Sequence, residues 1–120
     1  MAAKKESAVS PEKLVLYQKL VSTNPKIQLK GDTVPYTSHN GHMFSNLEKD
    51  GSLSLRLPQE AIEDFLKKYK TSLAVSYGVV RKEYVCVPDT LLKRTKELKP
   101  YFDISFSYVQ KLRPKPTRKQ

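Results

Sequence analysis

Two short segments in the middle of the chain alternate hydrophobic and polar residues in the manner of a β-hairpin. They span residues 42–47 and 52–57, and the polar turn between them ends in Asp50-Gly51. Asp-Gly between two β-like segments is a strong hairpin signal, because glycine tolerates the positive φ of a tight turn. In the second segment leucines alternate with Ser54 and Arg56, so we expect one buried and one solvated face. The alternating leucines are Leu53, Leu55 and Leu57.

Helices are predicted on both sides of this hairpin. Pro58 suits the first turn of a helix. Apolar residues then recur at helical spacing, which predicts a helix that lies on an apolar surface. These residues are Ile62, Phe65, Leu66 and Tyr69. Before the hairpin, Ser10 and Pro11 form a typical helix start, and Asn24-Pro25 ends that first helix.

The strands that complete the sheet have weaker signals. Residues 26–30 alternate like a short strand, and residues 33–40 are predicted as a strand or loop that leads to the hairpin. Residues 71–78 are ambiguous but compatible with a short strand, and residues 79–87 predict another strand. Adjacent strands joined by a tight turn are antiparallel, which indicates a mainly antiparallel sheet.

The last part of the chain is predicted to be helical. A third helix is expected to start at Pro88-Asp89 and to break or kink at Pro100. Residues 101–112 predict a final helix, although the alternation of Ile104, Phe106 and Tyr108 also fits a strand. The expected fold is therefore α+β, a two-layer sandwich in which helices pack on one face of an antiparallel sheet of about four to five strands.

The length and composition of the chain favour one small folded domain. Its 120 residues are enough for one hydrophobic core. We expect a flexible N-terminus over residues 1–9, a single domain over residues 10–112 and a flexible basic tail over residues 113–120. No apolar run approaches the length that spans a bilayer, and residues 1–6 lack the apolar stretch of a signal peptide. A cytoplasmic location without membrane association is therefore expected.

The net charge of the chain is +10, and half of it lies in the last ten residues. This segment contains five basic residues and no acidic one, so we expect it to be mobile. The five residues are Lys111, Arg113, Lys115, Arg118 and Lys119. Such a tail contacts phosphate groups or an acidic partner, or else only adds solubility.

Several short motifs resemble the N-terminal domain of TfoX-type competence regulators. They are the Met43-Phe44 pair at the start of the hairpin, the leucines of its second strand, and the transition from strand to proline over residues 84–89. Residues 98–112, with Ser107-Tyr108-Val109, are also similar to the last helix of the related YjbR-like proteins. The resemblance covers roughly residues 14–112. It implies an α+β domain with a link to transcription or DNA binding.

Basic and aromatic residues on the predicted strands form the main candidate binding site. If Lys30 and Lys82 share the solvated sheet face with Arg56, that face becomes a basic platform for phosphates. The candidate residues of the face are Lys30, Tyr36, Arg56, Arg81 and Lys82. We therefore expect a non-enzymatic accessory domain that binds nucleic acid or a regulatory protein through this face and the basic tail. The alternative is a module for protein interaction or self-association, and the oligomeric state stays open.

Catalytic and metal-binding chemistry receives less support from the sequence. His39 and His42 flank Asn40-Gly41, and two histidines at this spacing need a third ligand to hold a metal. A surface turn is the better interpretation, so no metal or other cofactor is expected. A single cysteine, Cys86, excludes an internal disulfide and a cysteine-based zinc site. A small metal-dependent hydrolase that uses the two histidines and a carboxylate is the weakest alternative.

Overall fold

Helices cover one face of an antiparallel sheet in the computed structural model of the protein. The structure describes residues 11–31, 35–48, 51–76 and 78–112. The strands are β1 (Tyr36–His39), β2 (His42–Leu47), β3 (Leu53–Arg56), β4 (Leu73–Ser76) and β5 (Val79–Val87). The helices are α1 (Pro11–Val21), α2 (Gln59–Tyr69), α3 (Asp89–Leu92) and α4 (Thr95–Gln110). This confirms the predicted α+β fold, while the ends predicted to be flexible, 1–9 and 113–120, lie outside the described residues.

The strands lie in the order β1-β2-β3-β5-β4, and all neighbouring strands are antiparallel. The turn between β1 and β2 consists of Asn40, with φ 53°, and Gly41, with φ 83°. Left-handed backbone at both positions is the conformation of a two-residue hairpin turn, and it places His39 opposite His42. Gly51 has φ 91° before β3, as the predicted hairpin requires.

The predicted leucine face forms the centre of the hydrophobic core. Leu53, Leu55 and Leu57 are fully buried. Phe65, from the apolar stripe of α2, is also fully buried. The alternating leucines and Phe65 therefore belong to one hydrophobic core, in which α2 packs mainly against β5.

A bulge in β2 anchors the longest helix on the sheet. Thr37 pairs with Ser45 and Ser38 pairs with Met43, which leaves Phe44 without a partner in β1. The Phe44 ring packs against two rings of α4, Phe102 and Phe106, at centroid distances of 5.7 and 5.6 Å. This aromatic contact fixes α4, which carries part of the candidate site described below.

Three buried hydroxyl groups join α1 to the sheet. The hydroxyl of Tyr17 and Oγ1 of Thr37 each form a 2.5 Å hydrogen bond with Oγ of Ser45. All three residues are fully buried. Burial raises the pKa of the Tyr17 phenol far above its ordinary value, although its hydrogen bonds to Ser45 and Thr37 oppose this. The phenol therefore stays protonated in the folded protein.

The buried Tyr17 phenol is expected to make the protein less stable at alkaline pH. Because its pKa is raised by folding, the native state keeps a proton that the unfolded chain releases above about pH 10. The contribution of the phenol to the free energy of unfolding is constant below about pH 10. The free energy of unfolding then falls as the pH rises further. Urea denaturation of the wild type and Tyr17→Phe on both sides of this pH measures the effect. We expect a smaller decrease in the variant, and an equal decrease in both proteins would contradict the assignment.

The prediction of a strand over residues 26–30 is wrong. A turn occupies the start of this segment. The side-chain oxygen of Asn24 accepts a 2.9 Å hydrogen bond from the amide of Lys26, and its carbonyl accepts one of 3.1 Å from the amide of Ile27. These bonds use the amides that a strand would offer to its neighbour. Only Lys30 pairs with the sheet, through an isolated bridge to β1.

Of the break or kink predicted at Pro100, the break is wrong, because Pro100 lies inside α4. The break comes earlier, between the end of α3 at Leu92 and the start of α4 at Thr95. Proline removes the hydrogen bond to the carbonyl four residues earlier, which belongs to Lys96. Both residues are exposed, so water can satisfy that carbonyl. The buried stripe that holds α4 in place includes Leu98, Phe102, Ser105, Phe106 and Val109.

Candidate functional site

Two arginines of the predicted binding face lie near the ring of Tyr84. The Tyr84 hydroxyl reaches the carbonyl of Met43 and donates to it at 2.6 Å. The guanidinium carbon of Arg81 lies 3.8 Å from the centre of the Tyr84 ring, and that of Arg56 lies 6.0 Å from it. The structure therefore brings two of the predicted cations, Arg56 and Arg81, close to one aromatic ring.

Each of these arginines is paired with a carboxylate. Nη1 of Arg81 lies 2.8 Å from Oε2 of Glu48, and Nε of Arg56 donates to Oε1 of Glu83 at 2.6 Å. Tyr108 of α4 also donates to Glu83, through its hydroxyl at 3.3 Å. Only 17% of the Arg56 side chain and 16% of the Arg81 side chain are exposed. Paired and largely buried arginines offer little net charge to a phosphate backbone.

The sheet face predicted to be solvated is largely covered. Only 1% of Ser54 and 5% of Asn46 are exposed. Arg81 donates to the side-chain oxygen of Asn46, and Ser54 donates to Oε2 of Glu48, both at 2.8 Å. The expectation of an open polar face at Ser54 is wrong, because long side chains from neighbouring segments lie over it.

The tyrosines of this network act as hydrogen-bond donors. Burial raises the pKa of Tyr84, although the positive charges of Arg81 and Arg56 oppose this effect. Burial also raises the pKa of Tyr108, and the negative charge of Glu83 adds to it. Both phenols are therefore protonated near neutral pH. The hydrogen bonds of this network link β2, β3, β5 and α4. The network therefore stabilises the packing of these elements.

The other predicted binding residues belong to different elements of the chain. Lys30 is exposed and donates to Oγ of Ser38 at 3.0 Å, whereas Tyr36 in β1 is half-buried. Lys82 is exposed on β5, and Lys111 is exposed directly after α4. The tail residues Arg113, Lys115, Arg118 and Lys119 lie outside the described residues.

The two histidines face each other across the first hairpin turn. His39 pairs with His42 in the β1–β2 ladder, and the His39 ring packs edge-on against Phe106 at 5.3 Å. Within the described ranges, no group of three or more His, Cys, Asp or Glu residues is arranged to hold a metal ion. His39 thus contributes to the packing of α4 on the sheet.

A cleft between the end of α1 and the start of α4 gathers cations that the sequence analysis did not select. Its volume is about 660 Å³, and we call it the α1–α4 cleft. The charged residues and the threonine of α4 that line it are Lys19, Lys93, Arg94, Thr95, Lys96 and Glu97. Arg94 lies 3.5 Å from Glu97. The three lysines form no ion pair with any residue that the structure describes, so their charges are available to a partner.

A shallow depression continues the cleft along α4. Lys26 and Lys99 line it, and it shares Thr23 with the α1–α4 cleft. Lys99 pairs with Asp103 at 2.7 Å, whereas Lys26 is exposed and has no ion-pair partner in the described part of the chain. We call the cleft and this depression together the α1–α4 surface. It is a basic surface on the helical layer, away from the predicted sheet face.

One sequence signal could have indicated the cleft. Lys93-Arg94-Thr95-Lys96 is a basic run that the analysis read as the interior of one helix. In the structure α3 ends before this run and α4 begins inside it. The basic run therefore lies around the N-terminus of α4. Its positive charges add to the positive end of the helix dipole. Lys19 joins it only through the packing of α1 on α4.

A groove between α2 and α4 has the opposite character. Its volume is about 870 Å³, and its charged lining residues are Glu60, Asp64, Asp103 and Lys111. Three carboxylates against one lysine make this groove unsuitable for an anionic ligand.

The β4–β5 end of the sheet exposes apolar side chains. The exposed fractions of Val75, Val79 and Val80 are 55%, 65% and 52%. β4 is an edge strand, so its outer backbone groups lack a neighbouring strand in the described sheet. Self-association, the alternative predicted from the sequence, stays a prediction.

Comparisons with known proteins give no match. No protein-family model matches the chain, and no curated protein or solved structure matches it. The resemblance to TfoX-type domains therefore stays a prediction. Among the helices in the described part of the chain, none is long and apolar enough to cross a bilayer.

Proposed function

We propose that this chain is a non-enzymatic binding domain that contacts nucleic acid through the α1–α4 surface. The observation that carries the proposal is a contrast between two groups of cations. Arg56 and Arg81 are largely buried and paired with carboxylates. The lysines of the α1–α4 cleft are exposed and form no ion pair among the described residues. Exposed lysines of this kind neutralise phosphates and release their counterions, which is the main source of affinity for a nucleic acid.

The charge of the chain favours nucleic acid over other partners. A net charge of +10 attracts a polyanion over a distance that depends on salt. The basic residues that follow α4, beginning with Lys111, extend the contact in this proposal. The resemblance to TfoX-type domains supports a link with DNA, and a cytoplasmic location belongs to the same proposal. A regulatory protein with an acidic surface is the second partner that the sequence predicts.

Removing three charges from the α1–α4 cleft should weaken DNA binding strongly. The variant is Lys19→Gln/Lys93→Gln/Lys96→Gln, and the exposed positions of these lysines should leave the fold intact. We expect the affinity for a short DNA duplex at low salt to fall at least tenfold. The slope of log affinity against log salt should decrease by about one for each phosphate contact that is lost. Fluorescence anisotropy at several salt concentrations measures both quantities.

A matched control removes the same charge from other surfaces. Lys67, Lys70 and Lys82 are exposed on α2, directly after α2 and on β5. The triple glutamine variant at these positions should lose much less affinity and keep most of the salt slope. Equal losses in the two triple variants would contradict the assignment of the surface. Absence of DNA binding by the wild type at low salt would contradict the proposed function itself.

A further inference from the structure

The first turn of α4 forms one wall of the α1–α4 cleft. The helix has 16 residues, and none of the described side chains caps its N-terminus. The amides of Glu97 and Leu98 both donate to the carbonyl of Arg94 at 3.0 Å. The amides of Thr95 and Lys96 precede them and have no carbonyl one turn earlier within the helix. The positive end of the helix dipole therefore adds to the lysine charges around the cleft.

Thr95 adds a buried hydroxyl group without a partner. Only 8% of the residue is exposed, and its Oγ1 has no hydrogen-bond partner among the described residues. An unsatisfied buried hydroxyl is destabilising, and such groups are rare in folded proteins. Thr95 lines the cleft.

The opposite wall of the cleft does not repel an anion strongly, because donors cap the carbonyls at the end of α1. Oγ of Ser22 donates to the carbonyl of Lys19, and Oγ1 of Thr23 donates to the carbonyl of Leu20, both at 2.7 Å. These bonds satisfy carbonyls that would otherwise present negative partial charge at this helix end. The hydroxyl protons of Ser22 and Thr23 are thus already used in hydrogen bonds. The hydroxyl of Thr95, in contrast, has no hydrogen-bond partner among the described residues.

The acidic side chain that lines the cleft is held in place by other groups. Oε2 of Glu97 accepts a 2.7 Å hydrogen bond from the hydroxyl of Tyr69 on α2, and Oε1 lies 3.5 Å from Arg94. Its negative charge is thus partly compensated by these contacts. Lys19, Lys93 and Lys96 provide the excess positive charge of the cleft.

We infer that the α1–α4 cleft binds one phosphate group at the N-terminus of α4. The amides of Thr95 and Lys96 and the hydroxyl of Thr95 donate to the phosphate oxygens, and the lysines balance its charge. The inference rests on the proposed function for the source of the phosphate, which is a terminal monoester or an internal diester of nucleic acid. Both sources present the same tetrahedral arrangement of oxygens.

A titration of the full chain with inorganic phosphate tests this site. Amide chemical shifts of the ¹⁵N-labelled protein are followed at constant ionic strength, with chloride as the balancing anion. We expect saturable shifts of the Thr95 and Lys96 amides. Thr95→Val keeps the side-chain shape and should weaken phosphate binding about tenfold, as expected for one lost hydrogen bond to a charged group. Thr95→Ser keeps the hydroxyl and should bind nearly as well as the wild type.

A stability measurement separates a ligand-binding role of Thr95 from a structural one. Thr95→Val removes an unsatisfied hydroxyl, so its urea midpoint should stay unchanged or rise while phosphate affinity falls. A structural role would lower both quantities together. Unchanged phosphate affinity in Thr95→Val, or an absence of saturable shifts in the wild type, would overturn the inference.

Oligonucleotides identify the source of the phosphate and separate this inference from the proposed function. A preference for a 5′-phosphorylated strand over a 5′-hydroxyl strand, lost in Thr95→Val, indicates the terminal monoester. Equal binding of both strands that is weakened in Thr95→Val indicates an internal diester. DNA binding that does not depend on Thr95, with no phosphate shifts, overturns the site and leaves the proposed function standing. Phosphate shifts without binding of any oligonucleotide support the site and overturn the proposed function.

Discussion

Replacing Phe102 with alanine is expected to destabilise the protein by about 3–5 kcal/mol, the range for an aromatic residue removed from a close-packed core. Phe102 is fully buried and packs against Phe44 at a centroid distance of 5.7 Å. The substitution leaves a cavity between α4 and β2 at the contact that fixes this helix on the sheet. Urea denaturation followed by circular dichroism measures the change in the free energy of unfolding.

Ile104→Ala on the same helix is the control for Phe102→Ala. Ile104 is 39% exposed, so its truncation should change stability by only about 1 kcal/mol or less. A loss below about 1 kcal/mol for Phe102→Ala would show that α4 does not pack on the bulge of β2 as described. The position of the α1–α4 cleft would then lose its structural basis, because the first turn of α4 forms one of its walls.

Arg81→Met is expected to destabilise the protein by about 2–3 kcal/mol, because it leaves the Glu48 carboxylate without its cation. Oε2 of Glu48 lies 2.8 Å from Arg81 and accepts a second 2.8 Å hydrogen bond from Ser54. Since 16% of each charged side chain is still exposed, the cost should remain below that of a fully buried pair.

A double-mutant cycle isolates the contribution of this pair. Glu48→Gln in the Arg81→Met background removes the negative charge of the pair and should recover about 1 kcal/mol or more. A coupling energy below about 0.5 kcal/mol would show that Arg81 is free in solution. In that case the sheet face would keep a positive charge that could contact phosphates, as the sequence analysis predicts.

The middle of the fold could be predicted because its signals are local. Asp50-Gly51 requires a turn, and the leucines on every second position after it require one buried face. The stripe that includes Phe65 follows within a few residues, and it joins the same hydrophobic core as these leucines. The strand predicted over residues 26–30 failed for an equally local reason, since Asn24 competes for its amides through its side chain and carbonyl.

The pairing of the arginines could not be predicted, because it depends on the order of the strands. β5 lies beside β3 and follows it only after α2 and β4. This order places Arg81 near Glu48 and Arg56 near Glu83. The alternation along β3 indicates which face of the sheet carries Arg56. It does not indicate which carboxylate lies beside that arginine. The sequence alone therefore predicts both arginines as charges available to a partner.

The α1–α4 cleft was missed because its cations come from distant parts of the chain. Lys19 lies in the first helix, whereas Lys93 and Lys96 lie around the start of the last one. Their proximity requires the packing of α1 on α4, which is a tertiary contact. The boundary between α3 and α4 is a further reason, because Pro100 suggested a helix end at the wrong place.

Mapping a DNA duplex onto the protein by amide chemical shifts tests the central claim most directly. The claim is that phosphates meet the exposed lysines of the helical layer and not the paired arginines of the sheet. We predict that the largest shifts at low salt occur at residues 19–23 and 93–97. Shifts confined to residues 54–56 and 81–84, with the amides of the cleft unchanged, would contradict it.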